Sequence, residues 1–390
     1  MLRLLHMADV HLGARHGDLG EAAAKQRERQ FAAYSRAIDV AIEKRVDVVL
    51  ICGDLFDSNA QPRRSVERAV GELKRLADRN IRSVLIPGTH DGYDANSIYR
   101  AFDLRQMAGL ASDSSLLTVL TPDQPDVVFT DLDLVVYGRV FATKTQPRSP
   151  LEGFDSSIER RARYRVGMIH GSLRLEGRVE NDDVLFTTEE VAASGLHYLA
   201  LGHWHSFRQG HAGATTWAYA GAPEPVAVDQ DGAGQVVLLT IEDRDGRPTV
   251  QVEAVPVGRT RFRHLDVDAA GLASQDDLCR RLMESPDADV VLDVRLIGVA
   301  PESLDLNLEE VERQVRPAYF GFRVRDDSVA ALPEGPLAPA GTIAGVLTRD
   351  LQARVAAAEE SGATADAAEL REALHLLHVL LDDPKRVTLA

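Results

Sequence analysis

The sequence predicts an α/β protein: a four-layer α/β/β/α sandwich with a small α+β domain and C-terminal helices after it. Three observations carry this. Apolar strand-length runs alternate with amphipathic helical stretches through the first ninety residues. From 134 to 257 strand-like runs follow one another without obvious helices. A fresh β-α-β-α-β order then begins near 261. At 390 residues the chain is also too long for one ordinary core.

Taken in order, residues 3–8 read as a strand. Residues 24–44 read as a helix, with Phe31, Tyr34, Ile38 and Ile42 at helical spacing. A fully apolar strand (46–52), a helix (64–79) and a third strand (82–86) stopped by Pro87-Gly88 follow. This opening order demands parallel pairing with helices covering the sheet. Strands at 134–141, 165–170 and 197–202, and strand-like runs near 216–220, 235–241 and 249–257, suggest a second, more antiparallel sheet. Residues 1–257 form the first expected domain and 258–330 an α+β domain with strands at 261–267, 289–296 and 319–325. The Pro- and Gly-rich stretch 331–341 reads as a linker. Two helices, 342–360 and 364–382, complete the chain, the last with Leu370, Leu374, Leu377 and Leu381 on one stripe.

Composition excludes several classes. Hydrophobic content of 45% and charged content of 27% are those of a soluble globular protein. No run of 18 apolar residues exists, so no transmembrane helix is expected. The first apolar stretch is broken by Asp9 too soon for a signal peptide, and cytoplasmic residence is the default expectation. Two cysteines, Cys52 and Cys279, make neither a disulfide framework nor a thiolate zinc site. The net charge of -16 argues against a protein that coats DNA by electrostatics. The excess acid is heaviest at the end: residues 261–390 hold 14 basic and 24 acidic side chains.

The chemistry is concentrated in five short segments, each just after an expected strand. They are Asp9-Val10-His11, Gly53-Asp54, Gly88-Thr89-His90-Asp91, His170-Gly171 and Gly202-His203-Trp204-His205. Ligands of α/β sheets bind beyond the carboxyl ends of the strands, so five such ends gather these groups. In an extended segment residues i and i+2 project together, which pairs Asp9 with His11 and His203 with His205. Carboxylates mixed with imidazoles suit manganese, iron, zinc or nickel better than magnesium. Two such ions activate a bridging water for in-line phosphoryl displacement. Asp54, alone on the central strand, is the candidate bridge. The other seven histidines, His6 among them, lack this context.

This order of segments resembles the calcineurin-like metallophosphoesterase superfamily. The longer wording resembles its DNA-repair branch, the SbcD-type nucleases and related YhaO proteins. It is carried by HMADVHLG (6–13), VDVVLICGDLFDS (46–58), VLIPGTHD (84–91), MIHG (168–171), HYLALGHWH (197–205) and YAGAPEP (219–225). The resemblance covers about the first 255 residues and extends more loosely through a segment like the capping domain of those nucleases. It implies that Asp9, His11 and His205 hold one metal, that His170 and His203 hold the second, and that Asp54 bridges. It also implies that His90 contacts the scissile phosphate and protonates the leaving oxygen, oriented by Asp91. Where the family has an asparagine ligand to the second metal, this chain has Thr89, a shorter and weaker donor.

The reading implied is a manganese-dependent DNA exonuclease or endonuclease in double-strand-break repair. Its partners would be DNA and an SMC-like coiled-coil ATPase, often as a homodimer and without a membrane. Arg63 and Arg64, in the loop leaving the Asp54 strand, are the candidate phosphate contacts. The leucine stripe 370–381 is a candidate docking helix. A small-molecule phosphodiesterase stays open as an alternative. So does a weakened or non-catalytic DNA- or ATPase-binding subunit, because of Thr89.

Overall fold

Strands whose two faces are both covered need apolar residues at every position. The strand Val48–Cys52 is of this kind, apolar and buried at every position, and the structure, a computed structural model, stacks the first strands around it. It describes residues 1–390 apart from 144–147, 160, 175–181, 183, 228–229, 231, 302–303, 331–338, 340, 362, 364–365, 368, 372, 375–376, 378–380 and 382–390.

The chain divides into two compact units, Met1–Phe262 and Arg263–Ala390. In the first, β1 (Leu2–Met7), α1 (Ala23–Glu43), β2 (Val48–Cys52), α2 (Arg63–Ala77) and β3 (Arg82–Ile86) open the fold. β4 (Leu117–Val119), β5 (Asp126–Phe129), β6 (Leu134–Arg139), β7 (Tyr164–His170) and the two-residue strands β8 (Ser172–Leu173) and β9 (Leu185–Phe186) follow. β10 (Tyr198–Gly202), β11 (Arg208–Ala212), β12 (Thr215–Tyr219), β13 (Gln235–Arg244) and β14 (Arg247–Pro256) complete it. One six-stranded sheet has the order β14-β13-β1-β2-β3-β4 and the other β11-β12-β10-β7-β6-β5.

The layers follow from side-chain alternation. Val48, Leu50 and Cys52 of β2 face the second sheet and pack with Val166, Met168 and Ala200. Val49 and Ile51 face the other way, onto Tyr34 and Ile38 of α1 and Val66, Val70 and Leu73 of α2. The outer face of the second sheet buries Ile169, Leu199 and Leu201 with Leu196 and Val191. The architecture is therefore α/β/β/α, as expected. One polar pair lies between the sheets: His6 Nδ1 is 2.9 Å from the Tyr198 hydroxyl. Burial there lowers the His6 pKa to about 3.

The second sheet corrects one expectation. It is not mainly antiparallel: β6, β7, β10 and β12 run parallel, and only β5 and β11 are antiparallel edges. Its crossovers use loops and short helices such as Thr188–Ala193, too brief to give a helical period in the sequence.

In the second unit, strands Asp287–Ile297 and Tyr319–Asp326 pair in parallel, with Arg261–Asp268 on the other side of Asp287–Ile297. Helices Gln275–Leu282 and Leu308–Val315 bury Leu278, Leu282, Val311 and Val315 against Leu292 and Val294. The helix Ile343–Glu360 follows. The expected linker 331–341 and the helix 364–382 lie largely outside the described residues. Among the described residues no helix is long and apolar enough to cross a membrane.

Candidate metal centre

Every candidate ligand leaves the carboxyl end of a strand. Asp9 and His11 follow β1, Asp54 follows β2, and Thr89, His90 and Asp91 follow β3; His170 ends β7, and His203 and His205 follow β10. These strands are the middle of the two sheets, so the five ends meet where the layers face each other.

The backbone reaches this point by turning sharply. Asp9 (φ 54°), His11 (φ 50°), Asp54 (φ 51°) and His203 (φ 102°) all hold positive φ. Such conformations cost a residue with a Cβ about 1–3 kcal/mol each and persist where the surroundings impose them. Here Asp9 N–H donates to the Gly53 carbonyl (3.1 Å) and His11 N–H to the Asp54 carbonyl (2.9 Å). The His203 N–H donates to both carboxylate oxygens of Asp9, at 3.0 and 3.1 Å. The expected extended i, i+2 pairs are thus turns, and the pairs converge because of the turns. Glycine makes room beside them: a Cβ on Gly202 would stand 2.0 Å from the Cys52 carbonyl oxygen.

Three groups of donors form among the described residues. Asp9, His11 and His205 each bring an atom within 4.8 Å of the others, as do Asp9, Asp54 and His170, and His11, Asp57 and His90. The Nε2 atoms of His11 and His205 are 3.1 Å apart. His170 Nδ1 donates to the Cys52 carbonyl at 2.9 Å, which leaves Nε2 as its coordinating nitrogen, 3.1 Å from Asp54 Oδ2. His203 stands beside His170, ring centroids 5.3 Å apart, with its Nε2 3.1 Å from Asp182 Oδ2. Thr89 turns its hydroxyl to Asp54 Oδ2 at 3.3 Å.

The electrostatics of the site are those of buried carboxylates beside imidazoles. Burial opposes ionisation of Asp54, but His170 and His11 outweigh it and hold its pKa well below the carboxylate range. Burial likewise opposes charge on His170, yet Asp54 and Asp9 lift its pKa to about 10. His11 is raised in the same way, against burial, by Asp57, Asp54 and Asp9. His205 is lowered, chiefly by burial.

These residues fit divalent cations. His170 Nε2 is buried with no hydrogen bond, although a carboxylate oxygen lies near it. Buried carboxylates and imidazole nitrogens point at shared space, and the mixed oxygen and nitrogen donors suit borderline transition metals.

Asp91 does not do what was expected of it. Its carboxylate accepts from the amides of Gly88 (2.7 Å), Phe56 (3.1 Å) and Asp54 (3.2 Å) and from the Tyr99 hydroxyl (2.6 Å). His90 instead donates from Nδ1 to the carbonyl of Asp57 at 3.0 Å. Asp91 is wholly buried and ties down the loops, while the His90 side chain is 48% exposed. His90, Thr89 and His170 line a cleft of about 300 Å³ with Asn59, Tyr93 and Phe141.

Arg63 opens α2 as an exposed residue paired with Glu67, and Arg64 is exposed beside it. Trp204 stacks on Tyr219 at 4.7 Å and donates to Ser172 Oγ, so it packs within the protein. Three residues around the ligands were not singled out from the sequence. Asp57 has Oδ1 3.4 Å from His11 Nδ1; Asp182 meets His203; Gln230 has Nε2 2.5 Å from His205 Nδ1. Asp57 sits in the quoted GDLFD run, which was a signal. Asp182 and Gln230 come from loops with no motif.

An α/β/β/α sandwich with Asp and His at facing strand ends defines a metallophosphoesterase. The family model for calcineurin-like phosphoesterases matches residues 2–207, and the chain belongs to that family. It is a metal-dependent hydrolase of phosphate esters. The chain is 25% identical over 347 residues to the DNA double-strand break repair protein Mre11 of Sulfolobus acidocaldarius, covering 85% of this chain and 84% of that protein. It is 28% identical to the Mre11 protein of Saccharolobus solfataricus, covering 71% of each. It is 24% identical to the uncharacterized metallophosphoesterase YhaO of Bacillus subtilis, over 52% of this chain and 48% of that one.

Proposed function

We propose that this protein is a DNA nuclease that cleaves phosphodiesters with two divalent ions, manganese the first candidate, in the repair of broken DNA. The observation that carries the reading is Asp54 Oδ2, which lies 3.8 Å from His11 Nε2 and 3.1 Å from His170 Nε2, within reach of both sets of donors. Likeness to double-strand break repair proteins along most of the chain supports DNA as the substrate. Asp9, His11 and His205 would hold one ion, and His170, His203 and Thr89 the other, with Asp54 between them. Bound there, the ions would polarise the phosphate and activate water.

The chain's own residues do the rest. His90 is exposed at the cleft and its Nδ1–H is spent on the Asp57 carbonyl, so Nε2 is the nitrogen that faces the leaving oxygen; as an imidazolium the ring gives up its Nε2 proton there and keeps the one on Nδ1. Asp91 fixes the loop that carries His90. Arg63 and Arg64 are proposed to meet the DNA backbone, and a coiled-coil ATPase and a second copy of the chain are proposed partners.

The discriminating experiment compares linear DNA with a chromogenic phosphodiester under Mn2+. The reading predicts that DNA is turned over with kcat/KM at least a hundredfold above that for the small diester. Equal values, or turnover of the small diester alone, would contradict it.

A further inference from the structure

Two histidines of the centre are held from behind by opposite kinds of group. His170 Nδ1 faces a carbonyl, the main chain of Cys52, at 2.9 Å. His205 Nδ1 faces a side-chain amide, Gln230, at 2.5 Å. The orientation of that amide is fixed by its other end. Gln230 Oε1 accepts from the amides of Val226 (2.8 Å) and Ala227 (3.2 Å), so the group turned toward His205 is the NH2.

An imidazole whose Nδ1 accepts a hydrogen bond carries its proton on Nε2. For His205 that proton points at His11 Nε2, 3.1 Å away. The donors then run one way: Gln230 NH2 to His205 Nδ1, and His205 Nε2–H to His11 Nε2. Without a proton or a cation between them, two nitrogen lone pairs would repel at this distance.

We propose that Gln230 is a positioning residue that locks His205 in the Nε2–H tautomer and so opposes entry of the first metal ion. The inference rests on the reading of His205 as a ligand. For Nε2 to coordinate, its proton must leave that nitrogen, and the net-neutral route is transfer through water to Nδ1 of the same ring. The new Nδ1–H then meets the Gln230 NH2, donor against donor. Turning the amide would place that NH2 against the N–H groups of Val226 and Ala227, with the same conflict. Gln230 must therefore move away for the ion to bind. A glutamate at this position removes the conflict, because a carboxylate accepts from both main-chain amides and from His205 Nδ1–H.

The test uses the full chain. Long-range 1H–15N spectra of the metal-free protein report which nitrogen of each histidine is protonated. The expected result is an Nε2–H tautomer for His205 in the wild type and an Nδ1–H tautomer in Gln230→Glu. Calorimetric titration with Mn2+ is expected to give about tenfold tighter binding to Gln230→Glu than to wild type, the scale on which such supporting partners act. An Nδ1–H tautomer in metal-free wild type, or equal Mn2+ affinity of the two proteins, overturns the proposal. His205→Ala separates the two readings. Undiminished Mn2+ affinity in that variant overturns His205 as a ligand, whatever tautomer the spectra give.

Discussion

The carboxylate of Asp91 accepts a 2.6 Å hydrogen bond from the hydroxyl of Tyr99, and its three other partners are main-chain amides rather than His90. The two adjacent residues of the GTHD turn therefore separate in role. Asp91→Ala strands four donors in a buried place, and should cost about 3 kcal/mol or more of unfolding free energy. His90→Ala removes an exposed ring and should stay within about 0.5 kcal/mol of wild type. Urea unfolding of both variants checks this; a wild-type midpoint for Asp91→Ala would contradict it.

His6 sets an acid limit on the fold. Its folded pKa, about 3, lies below its ordinary value of 6.5. Below pH 6.5 the unfolded chain takes up a proton that the folded chain does not, so stability falls with falling pH. The slope is about 1.4 kcal/mol per pH unit until the folded ring itself protonates. His6→Asn keeps a polar partner for Tyr198 and loses this term. The difference in stability between wild type and His6→Asn should therefore shift toward the variant from pH 6.5 to pH 4.5; a constant difference would refute the assignment.

Gly202 cannot accept a side chain. A Cβ there would collide with the main-chain oxygen of Cys52 in the facing sheet. Neither partner is the end of a flexible side chain, so Gly202→Ala should destabilise by about 3 kcal/mol, the upper range for overpacking. Circular dichroism melts would settle it, and a wild-type melting temperature would show that the sheets yield.

Metal binding should appear as stability. An ion at a hundred times its Kd adds about 2.7 kcal/mol per site. Mn2+ should raise the melting temperature over EDTA, and Asp54→Asn, which weakens the proposed bridge, should lose most of the rise. Thr89→Asn would offer an amide oxygen in place of a hydroxyl spent on Asp54. It should tighten the weaker Mn2+ event in a titration, and an unchanged isotherm would set that role of Thr89 aside.

Much of this was legible in the residues. β2 announced itself as a continuous apolar run, β3 by Val84, Leu85 and Ile86 stopped at Pro87-Gly88, and α1 by Phe31, Tyr34, Ile38 and Ile42, because covered strands and amphipathic helices leave those patterns. The segments around Asp9, Asp54, His90, His170 and His203 were found because chemistry-bearing residues followed such strands. The rest left no period to read. β4, β5 and β11 are three to five residues long, and the parallel order of the second sheet rests on loops and a six-residue helix. Hydrogen-bond partners were the least legible of all. The resemblance implied that Asp91 orients His90, but the turn sends the two side chains to different places. Gln230, 25 residues beyond His205, has no local mark at all.

The central claim is most directly tested by measuring nucleotides released from linear DNA by the purified protein in Mn2+, with EDTA and His90→Ala alongside. The account predicts Mn2+-dependent release that EDTA abolishes and that falls at least a hundredfold in His90→Ala, whose melting temperature stays at the wild-type value. Release that persists undiminished in His90→Ala, or no release in Mn2+ from protein shown to have bound it, would contradict the account.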